Sequence, residues 1–162
     1  MPNIFEGTEE PLFVSGRVGI VVSRFNQVIT ENLLTGAVET FVDKGFPDEK
    51  IDVFHVPGAW ELSLIARRLS VLKVDGKPKY GAIVCLGAVV KGETTHDEHI
   101  NRQVSLSLGQ ISLDSGIPVV FGLLTCNSME QAIHRSGGNV GNKGVDCALC
   151  ALEMMQLLEK ID

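Results

Sequence analysis

The stretch Tyr80-Gly-Ala-Ile-Val-Cys-Leu-Gly-Ala-Val-Val90 carries no charged residue and no polar alternation. A half-buried strand alternates, so a run of this kind predicts a strand covered on both faces, as in parallel sheets sandwiched between helices. Lys91-Gly-Glu-Thr-Thr-His96 follows at once and leads into a long helical pattern. Thr95-His-Asp-Glu98 predicts a capping box, with Thr95 as N-cap and Glu98 reaching back. A turn at the carboxyl end of a parallel strand is where open α/β sheets bind ligands. Its free N–H groups and the helix dipole make it an anion site. His96, near the first helical position, suits a proton carrier there.

Strand and helix signals alternate along the rest of the chain, without linker, repeat or low-complexity segment. Arg17–Val22 predicts the first strand and Ile51–Val56 the second; Tyr80–Val90 is the third and Pro118–Leu124 the fourth. Between and after them fall helices to about Lys44, across Leu62, Ile65, Leu69 and Leu72, from His96, from about Ser128 to Arg135, and from about Asn142 to Lys160. Gly137-Gly138 should end the fourth helix. Repeated β-α units imply a parallel sheet with right-handed crossovers. The expected fold is a flavodoxin-like three-layer α/β/α sandwich with a four-stranded parallel sheet, one domain spanning residues 1–162. No G-x-G-x-x-G follows the first strand, which removes support for a dinucleotide fold.

In the third helix Ile100, Val104, Leu108 and Ile111 form one apolar stripe, and Leu106 and Leu113 form a second. The second stripe is equally compatible with another subunit and with a helix of the same chain. The segment with Ile4, Phe5, Leu12, Phe13 and Val14 suits a strand added to a neighbouring subunit's sheet.

The net charge of −6 excludes a non-specific nucleic-acid binder, which needs a basic face. No apolar run approaches the roughly 20 residues of a membrane span, and the acidic first residues do not read as a signal peptide, so the expected location is the cytoplasm. Cys147-Ala-Leu-Cys150 lies within a helical pattern and has no second C-x-x-C, so it reads as buried helix thiols. His96-Asp-Glu-His99 lacks the H-E-x-x-H pattern, so no metal site is expected.

Four loops are expected to converge at the strand ends: Ser23–Asn26, Pro57–Glu61, Ala88–His96 and Thr125–Ser128. Phe25 is an aromatic in a loop, explained by a planar ligand or by capping of the core. Glu61 either complements a helix dipole or accepts hydrogen bonds from a ligand. Arg135 and Lys143, one ending a helix and one in a glycine-flanked loop, are the cations available to an anion at Thr94–His96.

Five motifs stand in collinear order: Ser23-Arg-Phe-Asn26, Pro57-Gly-Ala-Trp-Glu61, Gly87-Ala-Val-Val-Lys-Gly-Glu-Thr-Thr-His96, Pro118-Val-Val-Phe-Gly122 and Gly141-Asn-Lys-Gly-Val-Asp-Cys-Ala148. Together, from about Ile4 to Glu159, they resemble the lumazine synthase family. That resemblance implies condensation of 5-amino-6-(D-ribitylamino)uracil with 3,4-dihydroxy-2-butanone 4-phosphate to 6,7-dimethyl-8-ribityllumazine, with no cofactor. It implies that Phe25 stacks on the pyrimidine and that Ala59, Trp60 and Glu61 hold its ring and ribityl chain. Ala88, Val89 and Val90 would contact the ring through backbone groups, Glu93 and Thr94 would bind phosphate, and His96 would move protons. Phe121, Arg135 and Lys143 would come from the adjacent subunit. A homo-pentamer is implied, and the short Ser136–Asn142 loop fits a sixty-subunit icosahedral shell, with riboflavin synthase as a partner it could enclose. The chain departs from the family pattern at Trp60, where phenylalanine is common, and at Asp97 and His99, where many relatives carry aromatics. The alternatives are an archaeal-type riboflavin synthase and a non-catalytic flavin- or lumazine-binding shell protein.

Overall fold

The computed structural model describes residues 1–9 and 14–162. Four parallel strands, β1 (Arg17–Ser23), β2 (Ile51–Val56), β5 (Tyr80–Val90) and β6 (Val119–Cys126), form one sheet in the order β2-β1-β5-β6. Helices α1 (Gln27–Asp43), α2 (Leu62–Ser70), α3 (His96–Ser115), α4 (Met129–Arg135) and α5 (Lys143–Ile161) complete the α/β layers. Two small hairpins, β3–β4 (Lys73–Val74, Lys77–Pro78) and β7–β8 (Ser136–Gly138, Gly141–Asn142), lie between them.

The apolar run of β5 serves both faces of the sheet. Ala82, Val84, Leu86 and Ala88 join Ile29, Leu33, Ala37 and Phe41 of α1 and Ala148, Ala151, Leu152 and Met155 of α5 in one core. Ile83, Cys85 and Val89 point the other way, into a core with Leu62, Ala66 and Leu69 of α2 and Val104, Leu108 and Ile111 of α3. Alternation along the strand divides the residues between layers, which is why every position had to be apolar.

Several expectations need correction. Thr95 precedes α3 but its side chain makes no cap bond. Its backbone (φ −84°, ψ 10°) is not the extended conformation from which an N-cap oxygen reaches back to the first turn. Leu72 lies beyond α2 and is exposed, because the chain has already turned toward β3. Gly137 and Gly138 stop α4 by entering a hairpin rather than a plain loop. Cys147 is buried, but Cys150, three positions further round α5, is exposed.

Leu106 and Leu113 of the second α3 stripe are 68% and 82% exposed, so no helix among the described residues covers them. The N-terminal residues 1–9 form no strand; Leu12 and Phe13 lie outside the described residues. A segment added to a partner's sheet needs that partner's edge. Within one chain the segment is instead held along α5, by Thr8 to Gln156 and by Lys160 Nζ to the Glu6 carbonyl at 2.6 Å. No helix among the described residues is long and apolar enough to cross a membrane.

Candidate active site

A cleft of about 660 Å³ opens at the carboxyl ends of β2, β1 and β5. Its walls come from the three loops that leave those strands, and backbone bonds tie the loops together. The Arg24 and Phe25 amides donate to the Val56 and Pro57 carbonyls at 2.8 and 3.0 Å. Asn26 then takes a left-handed conformation (φ 60°, ψ 49°), and its Nδ2 donates to the Ala88 carbonyl at 2.9 Å. This one side chain joins the β1 loop to the end of β5. Asn tolerates the left-handed region because its short polar side chain can bond locally.

Phe25 projects from this tied loop and is 70% exposed, without a core to pack against. Gly58 is extended (φ −144°, ψ 178°), and its amide donates to Glu61 Oε2 at 3.0 Å. That bond closes the turn Ala59–Glu61 from which α2 starts and orients the Glu61 carboxylate at the cleft wall. Trp60 also lines the cleft and remains half-exposed. The floor is Ala88, Val89 and Val90, where β5 reaches its end. Gly92, Thr94 and His96 continue it onto the first turn of α3. The His96 amide is 3.4 Å from Thr94 Oγ1, so Thr94, not Thr95, approaches the helix start.

Nine of the sequence-predicted residues therefore share one cleft: Phe25, Ala59, Trp60, Glu61, Ala88, Val89, Val90, Thr94 and His96. Glu93 is exposed in the same turn but does not line it. Pro57, Gly58, Gly92, Asp97 and Ile100 line it without having been assigned a role from sequence. The fourth loop, Thr125–Ser128, leaves the same end of the sheet, and the Lys91 amide donates to the Cys126 carbonyl at 2.8 Å, but none of its residues lines the cleft, because β6 lies on the far side of β5 from β1 and β2.

Three predicted residues are elsewhere. Phe121 and Lys143 meet Asp146, Cys147 and Cys150 in a separate hollow of about 330 Å³ beside the edge strand β6. Arg135 ends α4, exposed, with its charge felt at Cys126: burial pushes that thiol up and Arg135 pulls it partly back. The residues lining the cleft thus include two carboxylates, Glu61 and Asp97, and no lysine or arginine. Acceptors, aromatic surface and a histidine suit a planar ligand rich in N–H and O–H donors. Among the lining residues an anionic group would meet backbone N–H groups, the Thr94 hydroxyl, His96 and the positive end of α3.

Residues 15–159 match the family model described as 6,7-dimethyl-8-ribityllumazine synthase. The chain is 44% identical over 162 residues to the 6,7-dimethyl-8-ribityllumazine synthase of Desulfotalea psychrophila, with 99% of each chain covered. The chain belongs to this family.

Proposed function

We propose that the chain condenses 5-amino-6-(D-ribitylamino)uracil with 3,4-dihydroxy-2-butanone 4-phosphate to 6,7-dimethyl-8-ribityllumazine, the penultimate step of riboflavin biosynthesis. The observation that carries this reading is a cleft combining exposed Phe25, acceptor groups and His96 at a helix start. The pyrimidine stacks on Phe25 and lies over the β5 end, with Ala59, Trp60 and Glu61 along its ring and ribityl chain. Phosphate sits at Glu93 and Thr94, held by backbone N–H groups and the Thr94 hydroxyl.

The amine condenses with the ketone to an imine and releases water, phosphate is eliminated, and ring closure releases a second water. Each step moves protons, which His96 relays. Holding two substrates together supplies a large share of the acceleration, and cations ease phosphate departure. No metal or organic cofactor takes part.

The cations are the reason for assembly. Arg135, Lys143 and Phe121 stand outside their own chain's cleft, and a neighbouring copy brings them to it. The assembly we propose is a homo-pentamer of single-domain subunits, with the N-terminal segment as a strand in the neighbour's sheet. The exposed Leu106 and Leu113 suit a contact between copies. Twelve such pentamers would make the sixty-subunit icosahedral shell, cytoplasmic and able to enclose riboflavin synthase.

The test is a spectroscopic assay of lumazine formation above the spontaneous rate. His96→Ala should lower turnover by about 10²–10⁴-fold, the usual worth of a positioned acid–base group. Arg135→Ala should raise KM for the butanone phosphate and spare the pyrimidine. Unfolding and reassembling the two variants together should then return activity, since about one composite site in four receives both intact residues. A mixture no more active than its components would refute the shared site. A folded, assembled protein without turnover would refute the enzyme reading in favour of a binding shell.

A further inference from the structure

Arg135 is the last residue of α4 and Lys143 the first of α5, and everything between them, Ser136–Asn142, is the hairpin β7–β8 with its turn. Ser136 pairs with Asn142 across it, so the two cations leave the hairpin from the same end. Both are exposed, and among the described residues neither side chain is in an ion pair. One side of the hairpin is fastened to α4. The Val140 amide donates to the His134 carbonyl at 2.9 Å, and Ser136 Oγ donates to the Ile133 carbonyl at 3.3 Å. The other side is fastened by Asn142. Its Oδ1 accepts from the Gly144 amide at 2.8 Å and so caps α5. Its Nδ2 donates to the Asn32 carbonyl of α1 at 3.0 Å, across a separation of 110 positions. A carbonyl has two lone pairs, so Asn32 can accept this bond besides one within its helix. Gly36 leaves room for the approach, since a Cβ there would stand 2.6 Å from Asn142 Nδ2. Capping does not account for the second bond. Ser and Asp cap helices about as well as Asn, but neither carries an amide donor. Because Ile29, Leu33 and Ala37 seat α1 in the core, the bond to Asn32 ties the hairpin to the rigid body of the chain.

We propose that Asn142 is a positioning residue for the phosphate-bearing substrate, holding the hairpin so that Arg135 and Lys143 reach a neighbouring copy's cleft together. This rests on the shared-site reading given above. A cation serves a phosphate through short, directed hydrogen bonds. A misplacement of about 1 Å therefore removes much of their worth. Arg135 and Lys143 flank one hairpin, so a shift of that hairpin moves both at once. The pyrimidine lies against residues of the first chain's own loops, which Asn142 of the neighbour does not set.

The experiment compares Asn142→Ser and Asn142→Asp with the unaltered full chain, measuring KM for each substrate in the complete reaction and the melting temperature. Both variants keep a capping oxygen and lose the donor to Asn32, and Ser adds no charge. Each should raise KM for the butanone phosphate about tenfold, the worth of one weakened bond to a charged group. KM for the pyrimidine should stay within about twofold, since its contacts are unaltered. A rise confined to Asn142→Asp shows the added charge at work and overturns the proposal. Equal rises for both substrates, or a lower melting temperature with both KM values unchanged, show a bond that serves only the fold and also overturn it. A second measurement adds Asn142→Ser to a chain carrying Arg135→Ala and Lys143→Ala. A residue that acts through those cations then has nothing left to place, so KM for the butanone phosphate should rise no further. A further rise as large as in the single variant overturns the proposal and leaves the shared site standing. If removing both cations leaves that KM unmoved, the shared-site reading fails and the role of Asn142 fails with it.

Discussion

Asn26 offers the sharpest separation of backbone from side-chain effects at the cleft. Its left-handed backbone turns the chain from β1 into α1, and its Nδ2 holds the end of β5 through the Ala88 carbonyl, 2.9 Å away. Alanine at this position loses both contributions. The left-handed region costs an ordinary L-residue roughly 1–2 kcal/mol, and a lost hydrogen bond roughly 0.5–1.5 kcal/mol. Asn26→Ala should therefore destabilise by about 2–3 kcal/mol. Glycine accepts the same backbone without steric cost, so Asn26→Gly should lose only about 1 kcal/mol, for the bond. Equilibrium urea unfolding reads the difference as two separated midpoints with a common slope. Because the same loop carries Phe25, both variants should also raise KM for the pyrimidine, with the butanone phosphate little affected. Equal midpoints for Ala and Gly would show that backbone strain is not the issue. A pyrimidine KM unchanged in Asn26→Gly would show that the bond to Ala88 does not position the loop, and the reasoning would fail.

At the opposite end of the sheet, Arg17 donates to both Asp52 oxygens at 2.6 and 2.7 Å, and the buried Tyr80 hydroxyl donates to Oδ2 at 2.9 Å. Bonding from Arg17, against the cost of burial and helped by Tyr80, holds the Asp52 carboxyl below its usual range, while Tyr80 is pushed up to about 12, mainly by burial. A carboxyl lowered by folding stabilises above its unfolded pKa, near 4, and loses that contribution as pH falls through its folded value. Asp52→Asn should thus lower the melting temperature clearly at neutral pH, with the gap narrowing below about pH 4; a pH-independent gap would count against the ion pair. Between α1 and α5, a Cβ on Gly144 would stand 1.9 Å from the Leu33 carbonyl oxygen, whereas the nearest atoms to one on Gly36 would be in the side chain of Asn142, the first at 2.6 Å. Gly36→Ala should displace the Asn142 cap of α5, about 1 kcal/mol, and its bond to the Asn32 carbonyl, about 1 kcal/mol, against about 1 kcal/mol of helix propensity gained. The net loss is about 1 kcal/mol, with Gly144→Ala at about 3 kcal/mol or beyond because backbone must move; the reverse order in urea midpoints would refute the close approach.

What sequence revealed, and what it concealed, divides along physical lines. The strands and the helix stripes were legible because burial on both faces of β5, or on one stripe of a helix, forces a repeating choice of side chain. Val104, Leu108 and Ile111 show this: each is buried where its spacing predicts. The three converging loops were legible for a different reason, since parallel strands deliver their carboxyl ends to one side whatever the loop composition. Thr95 illustrates the limit. Its pattern satisfies the capping box, but capping depends on a backbone dihedral that tertiary context sets, and Thr95 is too nearly helical to cap. Asn26 was visible as a loop residue, but its bond spans sixty-two positions to Ala88, and no local pattern encodes a partner so distant. Asp97 was visible only as a departure from an aromatic pattern. That its Oδ1 is buried without a hydrogen-bond partner can be recognised only once the neighbouring groups have positions. The cations follow the same logic. Arg135 and Lys143 are legible as loop and helix-end charges, but the sheet order places them away from the cleft of their own chain, across β6. A single sequence read as a single chain would assign them to one pocket. The topology places neither among the residues that line the cleft, and the proposed second copy is what would bring them there.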